Sequence, residues 1–357
     1  MKIALLGDVA FYGKFCIKQG KPKEYFHKTA EILKTFDYVV LNLETPFANI
    51  NAKKFGSKSA YISSIPENIE LLKYLGVNAV CLANNHMFDF GYEAYTLTKK
   101  LLNDNDIGFF GVENRDLKIN ISGNKIAFSG YCCYSTNPIN ANKNGVNPLD
   151  VEVVLNKLTE DKSKGFASIL SIHAGQEHVN YPNSDHMDMA KKLSETHSFV
   201  YYGHHPHVLQ GIEHVNDSLL AYSLGNFCFD DVYTEKSKEP LVKMNNNNKE
   251  SAILSLEFLN SKLMGHELIP LYDAQVCDGI QKEKILVKIS EYSARLQDEK
   301  DAYDEKRAQL LNLYLQNRKS KRDLNWYLKR MNYNSLKMII NSYSNIQKYK
   351  YAIKKHL

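Results

Sequence analysis

The chain has 357 residues, of which 44% are apolar and 24% charged, a balance that suits a folded protein with a full core and excludes a disordered or fibrous chain. It contains no run of about 18 apolar residues, so no membrane-spanning helix is expected. The formal net charge is +5, unevenly placed: residues 301–357 hold 13 Lys/Arg against 4 Asp/Glu, a net of +9, which leaves −4 on the first 300.

Residues 2–7 read as a buried strand that ends at Gly7-Asp8, too short and too acidic at its end for a signal-peptide core, which points to a cytoplasmic protein. Pro22 opens a helix to about residue 36. A second strand, 37–42, leads to Glu44, and the polar loop 45–64 is expected to face substrate. Pro66 starts a helix closed by Gly76, and the strand 78–83 delivers Asn84-Asn85-His86. A helix over 92–103, a short strand over 107–111 and a hairpin turning at 122–124 follow. Asp150 caps a helix to about 158, and the strand 167–172 ends at His173. A helix over 184–196 precedes the strand 199–203, which breaks into His204-His205-Pro206-His207. Strands over 219–224, 252–259 and 262–271 close the sheet system, and the polar linker 243–249 is expected to be mobile. Strands alternating with helices, with ligand-capable residues at strand ends, describe a layered α/β fold.

Six cysteines form no Cys-X-X-Cys pair and mostly sit in apolar runs, so they read as buried thiols and not as zinc ligands. The other ligand-capable residues fall at five separate strand ends: Asp8, Glu44, Asn85, His173, and His205 with His207. One His-X-His is equally a surface loop; five such ends together describe a metal centre of mixed nitrogen and oxygen ligands, suited to Mn, Fe or Zn. Such a centre activates water for attack on phosphate esters or similarly inert bonds.

Gly7-Asp8, Asn42-Leu43-Glu44-Thr45-Pro46, residues 83–91, residues 173–177, residues 203–207 and residues 222–227 resemble, in order, the motifs of the bacterial CapA (poly-γ-glutamate capsule synthesis) family, over about residues 1–272. That family is similar to the calcineurin-like metallophosphoesterases. The resemblance implies a metallophosphoesterase-like α/β sandwich and two divalent ions held by Asp8, Glu44, Asn85, His173, His205 and His207. It also implies a leaving-group role for His86, with Asp89 orienting it. Two departures stand out: Asp8-Val9-Ala10 replaces Asp-X-His, and Glu44 stands where those enzymes carry aspartate, so one metal site is expected to be the weaker.

Glu177 reads either as a substrate contact or a surface acid, Asn226 as a turn residue that could donate to substrate, and His204 as a neighbour of the ligands. The expected activity is a metal-dependent hydrolase or transferase acting on a phosphate-bearing or polyanionic glycan or peptide polymer in capsule or envelope biosynthesis. A non-catalytic polymer-binding subunit is the alternative, with a nucleic-acid phosphodiesterase ranked below it.

The expected division is a metallohydrolase domain over 1–279 and a basic helical extension over 280–357. Its apolar stripes among Lys and Arg read either as helices packed on the body or as a peripheral contact with anionic lipid, the latter supported by Arg318-Lys319-Ser320-Lys321-Arg322 and Trp326-Tyr327-Leu328. No nucleic-acid-binding signature occurs there.

Overall fold

The computed structural model describes residues 1–234, 237–319 and 332–357. Two stacked sheets form its centre. In the first, the strands β1 (Lys2–Val9), β2 (Tyr38–Leu43), β3 (Ala79–Cys81) and β4 (Gly108–Phe110) run parallel. The second is built on β5 (Leu117–Ile121), β6 (Asn124–Cys132), β7 (Ala167–His173), β8 (Phe199–His204), β9 (Ile212–Val215) and β10 (Ser218–Ala221), in the order β5-β6-β7-β8-β10-β9. Within it β6, β7, β8 and β10 are parallel, so both sheets send strand C-termini toward one edge of the sandwich.

The first sheet is widened by β14 (Glu250–Leu259), β15 (Lys262–Tyr272) and β16 (Gln275–Val276), giving the order β16-β15-β14-β1-β2-β3-β4. A short strand β11 (Asn226–Cys228) runs parallel to β1 beyond a register shift at Asp8/Val9. A small hairpin, β12 (Val232–Thr234) with β13 (Ser237–Val242), stands apart.

Helices cover both outer faces: α1 (Pro22–Leu33), α2 (Ile69–Tyr74) and α3 (Gly91–Asp104) on the first sheet, α4 (Val151–Ser163) and α5 (Ser184–Ser194) on the second. The one-turn α6 (Asn246–Lys249) precedes β14, and the chain closes with α7 (Gly279–Arg295), α8 (Lys300–Lys319) and α9 (Tyr333–Ala352).

The sequence explains why the sheets stack. The consecutive residues Ile3, Ala4, Leu5 and Leu6 of β1 and Val39, Val40 and Leu41 of β2 are apolar on both faces of their strands and fully or almost fully buried, the pattern of strands covered by helices on one side and a second sheet on the other. Across the interface Tyr38 stacks on Phe128 with ring centroids 5.8 Å apart, and the Tyr202 hydroxyl donates to the Leu6 carbonyl. Gly203 permits the close approach of β8 to the following chain: a Cβ there would lie 1.9 Å from the Tyr222 carbonyl oxygen.

Two segments differ from the expectation. The polar stretch 243–249 is ordered as α6, because Asn245 caps it reciprocally with Asn248. Gly225-Asn226 is not an isolated turn but the entry to β11, with Asn226 paired opposite Asp8.

The C-terminal helices lie against the body. Leu296, Tyr303, Tyr349, Ala352 and Ile353 are buried in the core shared with α4 and α5, and Ile285 and Ile289 of α7 pack with Leu209 and Ala252. The Trp326-Tyr327-Leu328 segment and Lys321-Arg322 lie outside the described residues. Among the described residues no helix is long and apolar enough to cross a membrane.

Candidate metal centre

The parallel strands bring the expected ligands to one place. Asp8 ends β1, Glu44 follows β2, Asn85 follows β3, His173 ends β7, and His205 and His207 follow β8. Their burial is nearly complete, from 0% exposure for Asp8, Glu44 and His173 to 6% for Asn85 and His207. Two triads emerge in which one ligand atom from each residue lies within 4.8 Å of the others: Glu44, His173 and His205, and Asp8, Glu44 and His207. Glu44 belongs to both.

Asp8 is firmly held. Its Oδ1 accepts from Asn42 Nδ2 at 2.9 Å and pairs with His204 Nδ1 at 2.8 Å, while Oδ2 accepts from the His205 backbone N–H at 3.1 Å. Burial works against ionisation, but the His204 hydrogen bond and the nearby His204 and His207 imidazoles outweigh it and hold this carboxyl at about 2. The bond from His205 N–H also fixes a strained turn, since His205 has φ of 94° and His207 of 57°, values rarely adopted outside glycine.

Glu44 is the opposite case: neither carboxylate oxygen has a hydrogen-bond partner. Burial, reinforced by the charges of Asp8 and Glu177 and only partly opposed by Lys58, pushes its pKa well above the ordinary carboxylate value. Around it lie imidazole nitrogens, His173 Nε2 at 3.8 Å and His207 Nε2 at 3.6 Å. His173 Nδ1, His205 Nδ1 and His204 Nε2 are likewise buried without partners. Burial, with the neighbouring imidazoles adding to it, holds His173 well below its ordinary value; burial also takes His205 down to about 3. Neutral imidazoles facing a shared, unpartnered carboxylate are a donor set that fits divalent metal.

Neighbours orient the ligands. His207 Nδ1 meets Asn226 Oδ1 at 2.9 Å, which turns Nε2 toward Glu44, and Asn226 Nδ2 donates to the Asn248 carbonyl at 3.1 Å. Asn85 Oδ1 lies 3.1 Å from His173 Nε2. Asn226, read from sequence as a substrate donor, thus holds His207.

His86 and Asp89 are adjacent as expected, with His86 Nδ1 2.7 Å from Asp89 Oδ2. Sequence reasoning missed Lys58. Its ammonium donates to Asp89 Oδ1 at 2.7 Å and to the Asn85 carbonyl at 2.8 Å, and lies 3.0 Å from His86 Nδ1. Burial and this cation lower the His86 pKa against the pull of Asp89, so the imidazole is neutral at neutral pH. With Nδ1 engaged, Nε2 is the nitrogen left for substrate. A lysine in a polar loop carries no sequence signal of its own; only the fold of 45–64 over the site reveals it. His204, read from sequence as a neighbour of the ligands, is a direct partner of Asp8. Glu177, on the loop after β7, is half-buried, accepts from the Tyr314 hydroxyl of α8 at 3.4 Å, and is close enough to raise Glu44.

Comparison with known proteins agrees with the motif pattern. Residues 2–231 match the family described as bacterial capsule synthesis protein PGA_cap. The chain is 31% identical over 255 residues to the PGA biosynthesis protein CapA of Bacillus subtilis (strain 168), covering 68% of this chain and 67% of that protein. It is 30% identical over 276 residues to the capsule biosynthesis protein CapA of Bacillus anthracis, covering 73% and 67% respectively. Among solved structures, a hypothetical protein from Thermus thermophilus superposes with a TM-score of 0.47 at 15% identity, over 76% of this chain and 99% of that one.

Proposed function

The chain belongs to the bacterial capsule synthesis protein family (PGA_cap), and from that premise we propose that it is a metal-dependent hydrolase or transferase acting on a phosphate-bearing or polyanionic polymer of the capsule or envelope. The observation that carries the proposal is Glu44: a fully buried carboxylate with both oxygens unpartnered, shared by two ligand triads. A buried ionised carboxylate without compensation is expensive, and a cation on each side is the compensation this donor set offers.

The residues divide the work. Asp8, Glu44 and His207 would hold one divalent ion, and Glu44, His173 and His205, with Asn85 at their side, a second. Ions bound there supply charge neutralisation and an activated water. Asn226 keeps His207 in the tautomer that presents Nε2, and His204 with Asn42 keeps Asp8 ionised and fixed. His86, oriented by Asp89 and kept neutral by burial and Lys58, offers Nε2 to the reacting group. It can take a proton there and return it to a departing oxygen.

The test is metal analysis of the purified chain combined with phosphomonoester and phosphodiester assays in Mn²⁺. His207→Ala should lose both metal and turnover. His86→Ala should keep metal and lose about 10²–10⁴-fold in kcat, the span typical of general acid–base catalysis. Equal metal loss in both variants would make His86 a ligand. A wild-type chain that binds no divalent ion after reloading would refute the proposal.

A further inference from the structure

The last helix is amphipathic with its polarity reversed. The side of α9 turned toward the body carries Ser335, Met338, Ser342, Asn345, Tyr349 and Ala352, mostly small or polar and partly to fully buried. Tyr333, Leu336, Ile339, Ile340, Tyr343 and Ile346 lie on the opposite arc, spaced as one face of a helix, and are 45–70% exposed. Ordinary surface helices turn the apolar face inward. Here about 20 Å of helix (14 residues, with a rise of about 1.5 Å from each to the next) presents large aliphatic and tyrosyl side chains to solvent.

The attachment at the other face is specific. Tyr349 OH bonds to Asp185 and lies 3.4 Å from His186, Asn345 Nδ2 donates to Asn137 Oδ1 at 3.3 Å, and Lys348 Nζ sits 5.4 Å over the Tyr134 ring. The outward orientation of the stripe therefore follows from contacts made by the inner face.

Charge identifies what covers the stripe. Residues 332–357 hold five lysines and no Asp or Glu, and Lys337, Lys348, Lys350, Lys354 and Lys355 are all exposed. Protein interfaces are depleted in lysine at their cores, whereas a helix lying at the headgroup level of an anionic bilayer combines these features: an apolar arc, tyrosines whose hydroxyls reach water, and lysines whose stems cover apolar surface while their ammonium groups meet phosphate.

We propose that the outward face of α9 is a docking surface for an anionic lipid bilayer. It would hold this part of the protein flat on the membrane. The inference is independent of metal chemistry, but the geometry relates the two. The short helical turn Tyr134–Thr136 against which the inner face of α9 packs also supplies the Thr136 carbonyl that accepts from Asn85 at 3.3 Å.

The experiment is sedimentation of the full chain with vesicles of phosphatidylglycerol and phosphatidylcholine, and with phosphatidylcholine alone. Binding is expected to the anionic vesicles only and to be released near 1 M salt, where the Debye length falls to about 3 Å. The variant Ile339→Gln/Ile340→Gln/Tyr343→Gln should partition at least about tenfold more weakly, since three large apolar groups no longer leave water. Lys337→Gln/Lys350→Gln/Lys355→Gln, whose side chains are exposed, should weaken binding to anionic vesicles without altering the melting curve. The proposal is overturned if the wild-type chain stays in the supernatant at low salt, or if either variant sediments as well as wild type. It is equally overturned if the wild type is a dimer that the first variant converts to monomer, because the stripe would then be a contact between copies.

Discussion

Asp8 and Glu44 are both fully buried carboxylates at the C-terminal ends of neighbouring strands, yet Asp8 accepts hydrogen bonds on both oxygens and Glu44 accepts none. The difference separates two jobs. Asp8 is a preorganised anion whose charge the polypeptide itself compensates; Glu44 has no such partner, and in the function proposed above a cation would compensate it. The contrast makes Glu44 the residue whose behaviour depends most strongly on metal.

That dependence gives the first prediction. In metal-free protein Glu44→Gln removes an acid that burial and Asp8 disfavour, so the apo form should be unchanged or more stable, by up to about 1–3 kcal/mol. The same substitution should abolish the stabilisation that added divalent ion gives the wild type, because both triads lose their shared ligand. Thermal melts with chelator and with Mn²⁺ measure both halves. A Gln variant that melts lower without metal, or that still gains from it, contradicts the assignment.

Asp8→Ala should behave oppositely. It strands Asn42 Nδ2, His204 Nδ1 and the His205 N–H in a dry interior, and it releases the strained turn at His205. A loss of roughly 3–5 kcal/mol is expected in apo protein, the range for removing one member of a buried charged network, and the metal-loaded protein should lose more because one triad also loses a ligand. Denaturant titration in chelator isolates this from metal binding; a loss under about 1 kcal/mol would show that Asp8 acts only as a ligand.

The convergence of Asp8, Glu44, Asn85, His173, His205 and His207 was legible in the sequence because each stands directly after an apolar run, and a parallel sheet puts every such end on one edge. Asp8, His173 and His204 are within the strands themselves, and the register aligns His173 with His204 and Asp8 with Asn42 and Asn226. Side chains that orient the ligands were not legible, since Asn226 and Lys58 reach the site across 19 and 28 residues of chain, respectively, and only the tertiary fold sets those distances. β9 and β11 were missed because strands of 4 and 3 residues carry too few alternations to show a period. The orientation of α9 was hidden for another reason: the sequence displays an apolar stripe, and the ordinary inference turns it inward.

Lys58 supplies the third prediction. It ties the loop 45–64 to Asp89 while lying against His86, and Asp89 also accepts from the Ile62 N–H at 2.9 Å. Lys58→Met should leave metal content unchanged, raise the His86 pKa by removing the neighbouring cation, and move the acid limb of the pH–rate profile upward. Lys58→Arg, which keeps the charge, should restore most of the profile. A purely structural lysine would lower kcat without shifting that limb.

The last prediction concerns the anchorage of α9 and is read in the pH dependence of stability. His186 of α5 is buried against Tyr349 and Cys133, and burial, opposed by Asp185, lowers its pKa from 6.5 to about 4; Arg307 and Lys354 add to the lowering. Its folded form therefore resists protonation more than its unfolded form. Between those two values the unfolded chain binds the extra proton, so this contribution is whole above about pH 6.5 and is lost as the pH falls through 6 and 5 to 4. A shift of this size corresponds to about 3 kcal/mol at most, at 1.36 kcal/mol per pKa unit. His186→Gln keeps a polar side chain without the titrating group, and it should flatten the wild-type decline over that window while leaving the slope above pH 7 unchanged. Denaturant midpoints at pH 7.5, 6, 5 and 4 decide it. If the variant declines in parallel with the wild type, the acid sensitivity lies elsewhere and α9 is held by Tyr349 and Asp185 without reference to His186.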